Sequence, residues 1–305
     1  MYKIVALVVT YNRKELLKEN IKALLDQSYN KFDILVVDNA STDGTDQYIK
    51  KIKNNRVIYK NTGANLGGAG GFHFGIKNAI EMGYDYCWLM DDDTIPTSTS
   101  LEVLVNGSKS IQNDFSFICS YVKWVDESPC KMNRIIHSKD WYESSKLLNE
   151  FHLLKVQSCS FVSVFINLDV AVKAGLPVRQ MFIYGDDHEY TKRLSREKNA
   201  YFSIDSVVVH KMGANQGYEV WDVPSDRISR YYYDSRNRFY RAKHDRFIYV
   251  LAYFYWMIKA TFKNLFASKD KKLYRNHVIW KGFFAGIFFN PKIEYANKKN
   301  VGGKK

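Results

Sequence analysis

Trp88-Leu89-Met90-Asp91-Asp92-Asp93-Thr94-Ile95-Pro96 sets an apolar run directly against three carboxylates and a proline. Adjacent anions repel one another, so three in a row are costly unless something positive sits among them. Residues 84–90 are apolar and end abruptly in acid, the pattern of a buried strand whose C-terminal edge reaches a crevice. In open α/β sheets that edge is where ligands bind. Asp91 and Asp93 can point at one divalent cation while Asp92 points elsewhere. Hard oxygen ligands suit Mg²⁺ or Mn²⁺, ions that usually also hold substrate phosphates. Taken alone, the stretch is more simply a solvated acidic turn; the motifs around it reverse that reading.

Upstream, residues 3–9 form a continuous apolar run, as in a strand buried on both faces, and residues 15–27 carry Leu16, Leu17, Ile21, Leu24 and Leu25 at helical spacing. Residues 32–37 read as a second buried strand ending in Asp38, followed by loop chemistry and a helix over 45–52. A short strand is expected at 56–60, then a glycine-rich loop over 61–71 feeding a helix at 72–82. With the strand at 84–90, this alternation predicts an α/β fold, a doubly wound, mostly parallel sheet. Downstream, a helix is expected at 101–111, strands at 115–125 and 155–167, a short helix at 169–174, a helix at 188–198 and a last strand at 201–210. Residues 126–150 are polar and without clear period.

Four constellations carry chemistry. Thr10, Asn12 and Arg13 end the first strand and Asp38 the second, so both loops open on the edge where a base and ribose would bind, although a strand-end Asp often only caps the next helix. Asn65 is followed by Gly67, Gly68, Gly70 and Gly71, which lets the backbone approach an anion at a helix N-terminus or else simply makes a tight loop. It matches neither the dinucleotide fingerprint nor a Walker loop. Asp186, Asp187 and Glu189 enter a helix, where carboxylates act as caps or, beside a substrate hydroxyl, as a general base. His210 ends the last strand, either as a structural imidazole or as a further cation ligand.

A 46% hydrophobic content and only five prolines in 305 residues argue for a folded globular chain. The net charge of +13 is uneven: residues 227–305 hold 19 Lys/Arg against 4 Asp/Glu, so the basic character belongs to that tail and points to an anionic surface. Cys87 and Cys159 lie in apolar surroundings and read as small buried hydrophobes, which fits a reducing cytoplasm. The apolar run at residues 4–9 is too short for a signal segment, and no run reaches about 18 uninterrupted apolar residues, so no spanning helix is expected.

In order, residues 9–13 (Val-Thr-Tyr-Asn-Arg), 37–45 (Val-Asp-Asn-Ala-Ser-Thr-Asp-Gly-Thr), 65–71 (Asn-Leu-Gly-Gly-Ala-Gly-Gly), the Asp-x-Asp of 91–93, 185–189 (Gly-Asp-Asp-His-Glu) and His210 make six blocks. A chain so built resembles the inverting family-two glycosyltransferases with a GT-A fold over about residues 3–240, and within them the bacterial galactofuranosyltransferases, with rhamnosyltransferase-like members close by. The resemblance implies that Thr10, Arg13, Asp38, Asn65, Gly67, Gly68, Asp91 and Asp92 hold a nucleotide-sugar donor. It implies that Asp91, Asp93 and His210 ligate Mn²⁺ or Mg²⁺, and that Asp187 is the base that deprotonates the acceptor hydroxyl. Asp186 and Glu189 would orient hydroxyls. His188 departs from the pattern, where small residues are common. Trp221, in the loop 211–226, is expected from its position alone to close over the donor and exclude water.

The tail mixes rings and cations: residues 247–258 are an apolar and aromatic run with Lys259 and Lys263 after it, and Trp280, Phe283, Phe284, Ile287, Phe288 and Phe289 follow further on. Twelve residues do not span a bilayer but suit a helix in its interface, beside anionic lipid. Packing on the catalytic domain or in a homo-oligomer is the competing use; nucleic acid is not expected, since no recognised module is present. The chain therefore divides into a GT-A catalytic domain at 1–226 and a helical, basic, aromatic region at 227–305, cytoplasmic and peripheral on the inner face of the membrane. The expected activity is transfer of a sugar, first galactofuranose from UDP-galactofuranose, to a glycan or lipid-linked acceptor in cell-surface polysaccharide synthesis. A rhamnosyl- or other hexosyltransferase is the same-fold alternative. A nucleotidyltransferase and a non-catalytic assembly scaffold are the alternatives from other classes.

Overall fold

The computed structural model describes residues 2–298, which divide into two compact units. The first comprises the chain to Arg179, Asp187–Asn215 and the segment from Ile293; the second comprises Gln180–Asp186 and Gln216–Lys292.

The first unit is built on a sheet. Its elements run β1 (Ile4–Thr10), α1 (Lys14–Leu25), β2 (Asp33–Asp38), α2 (Thr45–Lys51), β3 (Val57–Asn61), α3 (Gly67–Glu81), β4 (Tyr86–Asp91), β5 (Thr94–Pro96), α4 (Ser100–Ser110) and β6 (Phe117–Lys123). They continue with β7 (Ile136–His137), α5 (Ser145–Phe151), β8 (Leu153–Ser158), β9 (Val164–Asn167), α6 (Leu168–Ala174), α7 (Asp186–Glu197) and β10 (Ala200–His210). The strands form one ten-stranded sheet in the order β3-β2-β1-β4-β9-β6-β10-β8-β7, with β5 paired to β10.

Strand alternation sorts the core onto the two faces of this sheet. Val5, Leu7 and Val9 pack with Leu35, Val37, Phe72 and Ile76 on one side. Ile4, Ala6 and Val8 pack with Ile34, Val36, Leu17, Ile21 and Leu24 on the other. With helices covering both faces, every residue of β1 is buried, which is why it reads as an unbroken apolar run.

The half from β3 to β4 is parallel throughout, as expected. Beyond β4 the sheet is mixed: β9 runs antiparallel to both β4 and β6, and β8 antiparallel to β10. The expected single strand at 155–167 is in fact two, β8 and β9, because the chain turns between them at Ser163, whose φ is +64°. The second part of the expected glycine-rich loop is helix, since α3 already begins at Gly67. Its glycines answer a packing need: a Cβ on Gly71 would stand 2.5 Å from Val9 Cγ1, and one on Gly75 would run into Leu7. Only glycine lets this helix lie so close to β1.

Register decides where chemistry collects. Thr10 pairs with Asp38, Asp38 with Asn61, and Val9 with Asp91, so β1 to β4 end together at one edge. Strand order reverses at β1, with β2 and β3 to one side and β4 to the other, and that reversal opens the ligand crevice of a doubly wound sheet.

The second unit is helical: α8 (Tyr231–Lys243), α9 (Phe247–Phe266) and α10 (Lys272–Phe288) enclose a small core of Val220, Val223, Ile228, Tyr231, Tyr253, Met257, Ala260 and Ile279. It begins at Gln216, earlier than the expected boundary after 226, because Val220 and Val223 are buried there and their carbonyls accept from the buried Arg275 guanidinium at 2.6 and 2.9 Å. No helix among the described residues is long and apolar enough to cross a membrane. The expected basic residues Lys299, Lys304 and Lys305 lie outside the described residues.

Candidate active site

The triple aspartate sits at the reversal point. Asp91 ends β4, and Asp92 and Asp93 turn the chain into β5. Asp92 and Asp93 are buried, and each has a dedicated partner. Thr10 Oγ1 donates to Asp92 Oδ2 at 2.7 Å, and Arg13 Nη1 reaches Asp93 Oδ2 at 2.7 Å and Asp92 Oδ1 at 3.4 Å. His210 closes the corner, its Nε2 standing 3.1 Å from Asp93 Oδ1. The pairing of His210 with Thr94 across β10 and β5 brings it there from 117 residues downstream.

The electrostatics follow from burial and these partners. Burial first, and then the neighbouring Asp93 charge, push the Asp91 carboxyl up to about 8, against the pull of His210 and Arg13. Burial raises Asp92 to about 6, moderated by Arg13. For Asp93 burial works upward too, but the contacts with His210 and Arg13 outweigh it and hold the acid below its usual range. Burial disfavours the His210 imidazolium, yet Asp93 and Cys130 lift the group to about 10. His210 Nδ1 faces Asn133 Oδ1, so Nε2 is the nitrogen turned toward Asp93.

Among the described residues no group of three His, Cys, Asp or Glu forms a ready-made metal cage. The donor chemistry fits a cation nonetheless. Asp91 is a half-buried acid with an elevated pKa at a ligand edge, and the buried Asp93 Oδ1 faces the His210 ring nitrogen at 3.1 Å, so an acid and an imidazole converge on one point. Mg²⁺-type ions are commonly held by one or two carboxylates together with substrate phosphates, so a full protein cage is not required.

On the donor side the residues divide. Gly68 has open space where a Cβ would be, next to the N-terminus of the 15-residue α3, whose first turn carries no acid. Asn65 Oδ1 accepts from Gly67 N at 2.9 Å and so shapes that terminus. Asp38, expected to hold the donor, is tied into the sheet edge by its neighbours. It is wholly buried, Oδ1 accepts from Ser41 N at 2.8 Å and Oδ2 from Tyr59 Oη at 2.6 Å, so it braces the loop after β2. Burial and that bond raise the Tyr59 phenol to about 12.

Asp187 lies in the first turn of α7, half-buried, with Oδ1 accepting from His188 N at 2.7 Å. α7 and β10 are joined by only two residues, so the start of the helix and the end of the strand lie toward the same edge of the sheet. Glu189, expected to orient hydroxyls, is gripped by Arg193, whose Nε and Nη2 donate to its carboxylate at 2.9 and 3.0 Å. Asp186, also expected to orient hydroxyls, is buried and falls in the second unit. Trp221 does not sit on a single closing loop. Residues 211–215 are tied to the first unit, where Asn215 caps the 128–131 turn. Trp221 lies in the second, with Lys263 Nζ 4.6 Å from its ring centroid and its carbonyl accepting from Ser268 Oγ.

Two contributors escaped the sequence. Asn133 Oδ1 lies 2.8 Å from His210 Nδ1, and Cys130 Sγ 3.9 Å from the same nitrogen. Both come from the aperiodic 126–150 span, so no pattern marked them. Asn12 joins the loops after β1 and β2, donating from its N to Ser41 Oγ and accepting at Oδ1 from Thr42 N. It stood inside a quoted block, and only the fold shows its work.

A model of the family described as Glycosyl transferase family 2 matches residues 5–168. The galactofuranosyltransferase GlfT1 of Mycolicibacterium smegmatis is 26% identical over 77% of this chain and 81% of its own. Among solved structures, S. aureus TarS 1-349 in complex with UDP superposes with a TM-score of 0.55 at 14% identity, covering 92% of this chain and 70% of that one. GalNAc-T7 with UDP, GalNAc and Mn²⁺ gives a TM-score of 0.58 at 12% identity, covering 79% of this chain and 51% of that one. Of the longer TarS chain, the protein spans 44%. At these identities the structural likeness establishes the GT-A fold.

Proposed function

The chain belongs to glycosyl transferase family 2 and is a glycosyltransferase, and from that premise we propose an inverting, cation-assisted transfer of a sugar from a UDP donor to a glycan or lipid-linked acceptor in surface-polysaccharide assembly. Galactofuranose is the first choice of sugar, supported by the similarity to GlfT1 along most of both chains. The observation that carries the reading is the corner itself: Thr10, Arg13, Asp91–Asp93 and His210 gathered at the sheet's reversal point.

Asp91 and Asp93 would hold Mn²⁺ or Mg²⁺, with His210 as a third ligand. When bound, the cation offsets negative charge on the departing diphosphate. The chain's own residues do the rest. The N-terminus of α3 offers backbone amides to the donor's phosphates. Thr10 and Arg13 keep Asp92 and Asp93 in place. Asp187 takes the proton from the acceptor hydroxyl as its oxygen attacks the sugar carbon from the side opposite the diphosphate, which inverts that centre.

The helical unit supports peripheral association with an anionic membrane. Phe247, Leu251, Tyr255, Ile258, Phe262 and Phe266 all face solvent from α9, with Lys259 and Lys263 beside them. An outward apolar stripe bordered by lysines suits the interface of an anionic bilayer.

Release of the nucleoside diphosphate (UDP or dTDP) measured with UDP-galactofuranose, UDP-galactopyranose and dTDP-rhamnose, with and without Mn²⁺, tests the reading. Cation-dependent turnover of the furanose donor is expected. No turnover of that donor removes galactofuranose, and turnover of none of the three removes the reading. Release of pyrophosphate in place of a nucleoside diphosphate would point to a nucleotidyltransferase.

A further inference from the structure

Met181-Phe182-Ile183-Tyr184-Gly185 leads straight into α7, whose second residue is Asp187. The backbone of this short loop is strained. Phe182 has a φ of +65°, Tyr184 of +70° and Gly185 of +79°. Glycine takes that conformation freely, but a bulky aromatic residue keeps it only where its surroundings impose it. Ile183 N also donates to Met181 O at 2.7 Å, so Phe182 sits at the centre of a three-residue turn of the rare, strained hand.

What imposes this form is α8, which belongs with residues 180–186 to the helical unit. Asn237 is 1% exposed, and its side-chain nitrogen donates to the carbonyls of Met181, Ile183 and Tyr184 at 3.0, 3.0 and 2.9 Å. Two protons are shared among three acceptors, so the whole donor capacity of the amide is spent on this loop. Its oxygen accepts from Arg236 Nε at 3.1 Å, and Arg236 Nη2 donates to Gln180 O at 2.7 Å and Met181 O at 3.2 Å. The rings are held as well: Phe182 stacks on Tyr233 at 4.9 Å, and Tyr184 lies 5.8 Å from Tyr231. Gly185 faces Arg241, whose Nη1 would stand 2.5 Å from a Cβ there.

A loop left to relax would turn its carbonyls to water and return its aromatic residues to ordinary dihedrals. Holding it strained fixes the point and the direction from which α7 starts. Asp187 follows Gly185 by two residues and is half-buried, its Oδ1 accepting from His188 N at 2.7 Å. A carboxylate in the first turn of a helix moves with that turn.

We infer that Asn237 is a positioning residue for the proposed base: through the carbonyls of Met181, Ile183 and Tyr184 it fixes where α7 begins, and so where the Asp187 carboxylate stands. This rests on the reading of Asp187 as the base. Asn237 acts through the backbone and takes no part in the proton transfer itself.

The test compares the full chain with Asn237→Leu, which nearly keeps the volume and removes the donors, and with Gly185→Ala, which disturbs the same loop without touching Asn237. Arg275→Ala is the control, because it removes a buried donor to two carbonyls elsewhere in the helical unit. Release of the nucleoside diphosphate is followed well below each melting temperature, with the three donors above and with octyl galactofuranoside and octyl rhamnoside as acceptors. In both loop variants kcat should fall about 10–100-fold, the scale on which an ångström of misplacement is felt. Donor KM should stay within about twofold of the parent, and so should kcat in Arg275→Ala. Amide hydrogen exchange at residues 181–190 should quicken in both loop variants, with that of β1 to β4 unchanged. Unchanged kcat in Asn237→Leu overturns the positioning role; where that variant does not fold, Gly185→Ala decides in its place. An equal loss in Arg275→Ala, or a loss that falls on donor KM with kcat kept, also overturns it. Asp187→Asn run in parallel separates the two claims. If it abolishes transfer while the loop variants change nothing, only the positioning role falls; if transfer survives it, the assignment of the base falls. A parent that turns over none of the donors removes the functional reading and this inference with it.

Discussion

The two units of this protein invert one another in what they bury. In the sheet unit β1 is buried along its whole length and the charges collect at one edge, where Asp92 and Asp93 meet Arg13 and His210. In the helical unit the inside holds unusually polar groups: Arg236, Asn237, Asn264 and Arg275 are buried, while Phe247, Tyr255, Phe266, Leu273 and Phe288 stand out in water. Arg275 is satisfied by Val220 O, Val223 O and Asp270, and Arg236 by Gln180 O under the rings of Phe289 and Tyr233. The sheet unit follows the rule of an apolar inside with a reactive edge. The helical unit adds exposed rings along α9, the feature on which the proposed membrane association rests.

That contrast can be broken at several points. The largest effect belongs to the reactive edge: Asp187→Asn should lower transfer by about 10²–10⁴-fold, the usual worth of a general base, while donor affinity by titration calorimetry stays within about twofold. A comparable loss of donor affinity would show that the residue holds the donor and not the proton. Next comes the polar interior of the helical unit. Arg275→Ala takes the donor from the carbonyls of Val220 and Val223 and should cost about 2–3 kcal/mol, read by denaturant unfolding. An unchanged midpoint would mean that these groups are not the unit's fastening.

Asp93→Ala should weaken donor binding in the presence of Mn²⁺ by roughly tenfold or more, with a much smaller change in EDTA, since losing even a group that only steadies a metal ligand commonly costs about 10–100-fold. Equal weakening with and without the ion would remove Asp93 as a ligand. In the sheet unit, Gly75→Ala drives a methyl into Leu7 and should cost about 1–3 kcal/mol, measured the same way as Arg275→Ala. The smallest effect on stability is expected for Phe262→Ser. At 58% exposure, its loss should shift unfolding by less than about 0.5 kcal/mol but reduce co-flotation with phosphatidylglycerol vesicles. Unchanged flotation would favour another chain as the cover of that face.

The strands β1 to β4 and the helices between them were legible because alternation and helical spacing are local properties of the chain, and so was the acidic edge at Asp91. The break between β8 and β9 was not, because apolar residues on both sides of Ser163 read as one run and only the pairing of β9 with β4 and β6 separates them. Glu189 read as a site residue because it follows Asp187, although Arg193 stood four residues on, at helical pairing distance. Asn133 was invisible, since its partner His210 lies 77 positions away and nothing in the 126–150 span repeats.

By itself, the order of residues determined the two-faced sheet, the edge where its acids emerge, and the separation of a near-neutral front from a basic, aromatic tail, because burial pattern and charge are carried by neighbours along the chain. Only the tertiary structure decided which of those acids are committed: Asp38 to Tyr59 and Ser41, Glu189 to Arg193, and Asp93 to Arg13 and His210. It also decided that the rings of α9 face outward. A carboxylate's freedom and a helix's outer face depend on groups that arrive from distant positions, and no local pattern carries that information.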